Sequence, residues 1–166
     1  MNFIVAVSTD FAIGKGNKLL FRLPSDLIYF KEKTMGKVVV MGERTYRSLP
    51  KRPLDGRINI VLSDNPNFEE TGVIVVHSLP ELFKKLENYD TDDVFICGGA
   101  SVYNLMMDYC EKAYITMVDA TAPADTFINN ITKMSNWELE KEGKTLQENG
   151  YSFRFNIYRN NDVKKY

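Results

Sequence analysis

Short apolar runs separated by polar, helix-like stretches set the pattern of this chain. Five such runs, at 3–7, 37–41, 58–62, 73–76 and 94–97, are rich in valine and isoleucine and barely alternate. Continuous runs of this kind mark strands buried on both faces. Between several of them, 24–35, 43–48, 79–87 and 99–109 read as helices. The alternation predicts an α/β fold with a mostly parallel central sheet and flanking helices. The tail breaks the pattern: 112–119, 136–142 and 151–159 read as strands with no helix between them, which predicts an antiparallel C-terminal edge hairpin. Loops are expected over 8–23, 120–130 and 143–150, and a frayed polar end over 160–166. No repeat or linker interrupts the chain, so 1–166 reads as a single domain.

Composition narrows the class. Hydrophobic residues make up 44 % and charged residues 26 % of the 166 positions, the balance of a globular protein with a substantial core. Basic and acidic side chains nearly cancel, 21 against 22, and no basic stripe is present, so no nucleic-acid partner is expected. No apolar run approaches a membrane span. The first residues carry no basic region or cleavage site of a signal peptide, and a cytoplasmic location is expected. Cys97 and Cys110 sit in apolar surroundings and read as reduced core thiols. The single histidine, His77, leaves no ligand cluster for zinc, so no metal is expected. Taken alone, His77 reads as a surface residue at a strand end.

Five places carry candidate chemistry. Leu23-Pro24-Ser25-Asp26-Leu27-Ile28 puts a carboxylate inside an apolar run where a proline opens a helix. Asp26 is either an N-cap or first-turn acid favoured by the helix dipole, or a pocket carboxylate awaiting a ligand with paired N–H donors. Two strand-to-helix turns, around Gly42 and around Gly98-Gly99, offer close backbone approach and free N–H groups to phosphate, or are glycines needed for tight packing. Neither turn is a G-x-G-x-x-G or Walker A loop. Arg57, at the base of the 58–62 strand, is either a surface arginine or a fork for a carboxylate. The 8–23 segment, with its Ile13-Gly14-Lys15-Gly16-Asn17 turn formers, is either a lid or a plain connection.

These features occur together, in order, in dihydrofolate reductases, and the chain resembles that family over nearly its whole length. The matching pieces are Ile4-Val5-Ala6, Ile13-Gly14, Leu23-Pro24-Ser25-Asp26-Leu27 with Phe30-Lys31, and Val40-Met41-Gly42 with Thr45. They continue with Arg52-Pro53-Leu54, Gly56-Arg57-Asn59, Leu62-Ser63, Gly98-Gly99 with Val102-Tyr103, Thr116 and Asp125-Thr126. The resemblance implies a bacterial-type, single-domain enzyme that reduces 7,8-dihydrofolate to tetrahydrofolate with NADPH, serves one-carbon and thymidylate metabolism, and binds antifolate inhibitors. It implies that Asp26 binds the pterin, with Thr116 linking it to a water and Phe21 beside it. Ile4, Val5, Ala6, Leu27, Phe30, Lys31, Leu49, Leu54, Cys97 and Tyr103 would line the folate site, and Arg57 would fork the glutamate α-carboxylate. On the cofactor side it places Ala6, Ile13, Gly14, Asn17 and Leu19 near the nicotinamide. Gly42, Arg44, Thr45, Leu62, Ser63, Asp64 and His77 follow along the nucleotide, with Cys97, Gly98, Gly99, Ala100, Ser101, Val102 and Tyr103 under it. The 8–23 segment becomes a lid with Asp125 as its partner, and the Gly98-Gly99 bond is expected to be cis. A monomer is expected.

Departures from the family pattern stand at the same sites. Phe21 replaces a tryptophan of many relatives and brings no indole N–H. Glu43 stands where many place an arginine for the 2′-phosphate, Asp64 replaces a small polar residue and Ser101 a further arginine. The expectation is a preference for NADPH with a reduced margin over NADH. Cys97 replaces a larger apolar residue. Two alternatives stay open: the related reductase of riboflavin synthesis, and a folate- or nucleotide-binding protein without turnover.

Overall fold

The computed structural model describes all residues, Met1–Tyr166. In chain order the elements are β1 (Asn2–Val7), β2 (Ala12–Lys15), β3 (Lys18–Leu19), α1 (Pro24–Thr34), β4 (Val38–Gly42), α2 (Glu43–Ser48), β5 (Ile58–Leu62), β6 (Ile74–Val76) and α3 (Leu79–Leu86). They continue with β7 (Val94–Ile96), α4 (Ala100–Met106), β8 (Lys112–Val118), β9 (Thr126–Phe127), β10 (Trp137–Lys141), β11 (Leu146–Glu148) and β12 (Tyr151–Asn160). The main sheet runs β10-β12-β8-β1-β7-β4-β5-β6, with β11 added to β12. Every neighbour pair from β8 to β6 is parallel, and β12 and β10 close the other edge antiparallel. The α/β class, the mostly parallel sheet and the antiparallel C-terminal edge are therefore as expected.

Four of the five continuous apolar runs became inner strands, while 73–76 became the edge strand β6, half-buried at Ile74 and Val75. Val38 to Met41 and Val94 to Ile96 are buried along their whole lengths, because helices cover both faces. Phe3 on β1 is fully buried, with Tyr103 of α4 and Trp137 of β10 meeting its ring edge-on at 6.0 and 5.6 Å. Truncating a phenylalanine in such a setting costs about 3–5 kcal/mol. Helix α3 begins with Ser78, whose hydroxyl accepts from the Glu81 N–H, while α1 begins with Pro24 at its first turn and no side-chain cap.

Five expectations are corrected. The 8–23 segment is not a plain loop: β2 pairs with β3 and with β9 in a separate three-stranded sheet. The 120–130 loop accordingly contains β9, and 143–150 contains β11 paired with β12. The helix expected over 99–109 ends at Met106 and passes into a 3-10 turn over Met107–Tyr109. The end of the chain is not frayed. The Lys164 N–H donates to Asp108 O, and the Tyr166 ring stacks on Phe83 at 4.9 Å.

Candidate active site

The site assembles where β1, β4 and β7 end and α1, α2 and α4 begin. Parallel neighbours end together on one side of the sheet, and the turns that follow make a crevice there. Asp26 stands in the first turn of α1. The N-cap is Leu23, whose carbonyl accepts from the Asp26 and Leu27 N–H groups at 2.9 and 3.2 Å. Asp26 is thus not the N-cap, but it does stand as an acid in the first turn. Its carboxyl turns from the helix end to β8 and accepts a 2.6 Å hydrogen bond from the Thr116 hydroxyl. Thr116 is buried, and β8 pairs it with Ala6 on one side and Phe155 on the other. Burial pushes the Asp26 carboxyl above its ordinary pKa, the Thr116 bond opposes that, and the charge of Glu148 adds to it.

The apolar residues grouped with Asp26 divide by exposure. Ile4 is buried, Val5, Ala6, Phe30, Leu49 and Leu54 are half-buried, and Leu27 is 54 % exposed. A core role therefore holds for Ile4 and fails for Leu27. Lys31 is exposed on α1. Tyr103 donates to the Ile4 carbonyl at 2.7 Å, which ties α4 to β1 at the floor of the crevice. Arg57 is braced on three sides. Its Nε donates to Asp55 O at 2.9 Å, one Nη to Thr34 Oγ1 at 3.1 Å, and its guanidinium lies 5.9 Å from the Phe30 ring centre. Phe21 is buried with Leu23, Val118 and Phe153, its ring edge-on to Tyr151 at 4.9 Å.

On the other side of the crevice the two glycine turns are zipped together. Gly42 N–H donates to Gly98 O at 2.9 Å and Cys97 N–H to Val40 O at 2.8 Å. The Gly98–Gly99 peptide bond is cis, as is Arg52–Pro53. Gly98 holds φ +127°, which side chains rarely adopt, and a Cβ on Gly99 would come within 3.1 Å of Thr45 Oγ1. Thr45 thus lies directly against both glycines. Val102 is buried, Ala100 half-buried and Ser101 exposed at the start of α4. Neither α2 nor α4 has a side-chain cap. Cys97 is half-buried, its Sγ directed at Phe95 O, and burial pushes its thiol well up, so it stays protonated.

Further along, the ends of β5 and β6 bring together Ser63, Glu43 and His77, with Leu62 half-buried beside them. Ser63 is buried, and its hydroxyl donates to Glu43 Oε1 at 2.5 Å, while Arg47 Nε donates to Glu43 Oε2 at 2.7 Å. These bonds hold the Glu43 carboxyl below the usual carboxylate range. His77, exposed just past the end of β6, has its Nδ1 2.9 Å from Ser63 O. Arg44 and Asp64 are exposed beside this group.

The 8–23 segment folds back as the β2–β3 hairpin. Gly14 is buried in β2, Ile13 packs on the core, Asn17 takes φ 62° at the turn, and Leu19 is 71 % exposed. Asp125 clasps it: Oδ2 accepts from Gly16 N–H at 2.9 Å and its own N–H donates to Gly14 O at 3.1 Å. The reading from sequence missed Glu148, Asn149 and Tyr151, which lean on the 21–25 segment from the β11–β12 turn. Nothing local marks them, since only the fold brings them there.

Comparisons agree with this geometry. The family model described as dihydrofolate reductase matches residues 1–160. The dihydrofolate reductase of Bacillus subtilis is 32 % identical, over 99 % of this chain and 97 % of the relative. That of Haemophilus influenzae is 35 % identical, over 94 % and 96 %. Among solved structures, Enterococcus faecalis dihydrofolate reductase complexed with NADP(H) and RAB-propyl superposes with a TM-score of 0.87 at 34 % identity, covering 97 % of this chain and 96 % of that one. This chain belongs to the dihydrofolate reductase family.

Proposed function

We propose that this protein reduces 7,8-dihydrofolate to 5,6,7,8-tetrahydrofolate with NADPH. The observation that carries the reading is the Asp26 carboxyl, bound to the buried Thr116 hydroxyl of β8 and shifted toward its protonated form. A partly buried carboxyl needs hydrogen-bonding partners. The 2-amino group and adjacent ring nitrogen of a pterin provide paired donors for it. Ile4, Val5, Ala6, Phe30, Leu49 and Leu54 would wall the ring, and Leu27 would cover its exposed apolar surface against it. Arg57, already braced by Thr34 and Asp55, would fork the glutamate α-carboxylate with little further loss of rotamer freedom.

The donor set across the crevice fits a dinucleotide: the Thr45 hydroxyl against Gly98 and Gly99, the uncapped starts of α2 and α4, and exposed Arg44 and His77 further out. The likeness to a reductase complexed with NADP(H) supports the same cofactor. Bound there, NADPH would supply the hydride. Asp26 orients the pterin so that its reducible C6–N5 bond faces the crevice, and that placement is its main contribution. The raised pKa of the same carboxyl favours a proton near N5, which the reaction takes up. Phe21 and Tyr151 exclude water from one side of the segment that carries it.

Residues 1–166 are inferred to work as a single domain, as a monomer in the cytoplasm, open to antifolates at the pterin site. No helix is long and apolar enough to cross a membrane. The test is isotopic. With dihydrofolate and NADPH deuterated at the transferring position, tetrahydrofolate should carry one deuterium and NADP⁺ should accumulate. No transfer, despite thermal stabilisation by both ligands, would make the chain a binding protein without turnover.

A further inference from the structure

Helix α1 lacks the cap that its own sequence would ordinarily provide. Its N-cap is Leu23, which has no side-chain oxygen, and Pro24 follows. A serine, threonine or aspartate usually supplies the missing acceptor at such a position. Here it arrives from the other end of the chain. Glu148, the last residue of β11, accepts from the Ser25 backbone N–H at 2.9 Å with Oε1 and from the Ser25 hydroxyl at 2.6 Å with Oε2. The 11-residue helix thus receives an anion at its positive end from 123 positions away. The adjoining turn adds two neutral contacts, Asn149 Nδ2 to Arg22 O at 3.0 Å and Tyr151 against Phe21. Only Glu148 brings charge.

We propose that Glu148 is a positioning residue for Asp26: by gripping Ser25 it sets the first turn of α1, and it keeps a negative charge beside the carboxyl that turn carries. The proposal rests on the reading of Asp26 as the group that meets the pterin. The groups facing Asp26 are Thr116 on β8, Glu148 on β11, Tyr103 on α4, and Tyr29 further along α1. None of them is positive. Burial favours the protonated carboxyl most, the Thr116 bond opposes it, and the Glu148 charge adds a smaller push in the same direction as burial. The reaction takes up a proton, so the pH at which Asp26 ionises bounds its fast range.

Glu148→Gln separates charge from grip. A glutamine oxygen still accepts from the Ser25 N–H, and its amide can donate to the Ser25 hydroxyl. In this variant the rate–pH profile should move to lower pH, so that turnover above the wild-type midpoint falls about two- to fivefold. The KM for dihydrofolate should stay within about twofold of wild type, since the orientation of the turn is kept. The Asp26 carboxyl resonance of ligand-free protein, followed by carbon NMR, should titrate at lower pH in step. Glu148→Ala, which also releases the turn, should shift the profile and raise the KM as well. A Glu148→Gln profile and carboxyl titration that superpose on wild type would overturn the proposal. Full turnover by Asp26→Asn, measured in parallel, would instead overturn the reading on which it rests.

Discussion

The Thr116 hydroxyl donates to Asp26 Oδ1 at 2.6 Å and so joins the middle of β8 to the first turn of α1, 90 positions apart. The bond favours the ionised carboxyl. Thr116→Val keeps the shape and removes the donor. The rate–pH profile should then move to higher pH, opposite to the shift expected for Glu148→Gln. A net hydrogen bond of about 0.5–1.5 kcal/mol corresponds to a move of roughly 0.4–1.1 pH units. A shift to lower pH would contradict the assigned direction.

Asp26 also shapes stability. Its pKa is raised in the folded state by burial. Between the ordinary carboxylate value and the raised one, the folded protein binds more protons than the unfolded chain. Stability therefore falls as pH rises through that window, and the deficit is complete above it. Asp26→Asn removes the deficit, so its Tm should exceed that of wild type at neutral pH. The gain should fade below about pH 4, where the carboxyl is protonated in both states. Thermal melts across pH check this, and a variant less stable than wild type at neutral pH would contradict it.

Arg57 is already held by Thr34 and Asp55. Arg57→Ala should weaken dihydrofolate binding by roughly 1.5–3 kcal/mol, the range for a hydrogen bond to a charged group. A pterin without the glutamate tail should bind almost as before. Calorimetry with both ligands checks this, and equal weakening of the two would place Arg57 elsewhere.

Glu43 holds Ser63 and Arg47 in one ionised cluster beside exposed Asp64. Two acids near a 2′-phosphate are unfavourable. NADPH should still be preferred, with a kcat/KM ratio over NADH below about a thousandfold, roughly 4 kcal/mol. Glu43→Ala frees the serine hydroxyl and the arginine, and should raise that ratio about three- to thirtyfold. A wild-type ratio above the limit, or no rise in the variant, would contradict this role for Glu43.

The parallel core was legible because Val38–Met41 and Val94–Ile96 carry no polar position. Continuous apolar runs have one inexpensive solution, a strand covered on both faces. The β2–β3 hairpin was hidden because its strands are short, Gly14 sits inside β2, and Gly16 and Asn17 form the turn between them. Its stability comes from Thr126, Phe127 and Asp125, which no local pattern links to it. The end of the chain looked polar and free, yet Tyr166 finds Phe83 across the fold. Asp26 stood out as a carboxylate in an apolar run, but only the fold brings Thr116 to it. Arg57 stood out at the base of its strand and Ser63 only through the family pattern, while Glu148 had neither a pattern nor a local signal.

The most direct test of the central claim is the dihydrofolate-dependent loss of NADPH absorbance, measured for wild type and Asp26→Asn at neutral and at acid pH. The account predicts rapid oxidation by wild type and a loss of roughly 10²–10⁴-fold in the variant at neutral pH, with the fold retained. An Asp26→Asn variant that oxidises NADPH within about threefold of wild type would remove Asp26 from the chemistry and contradict the account.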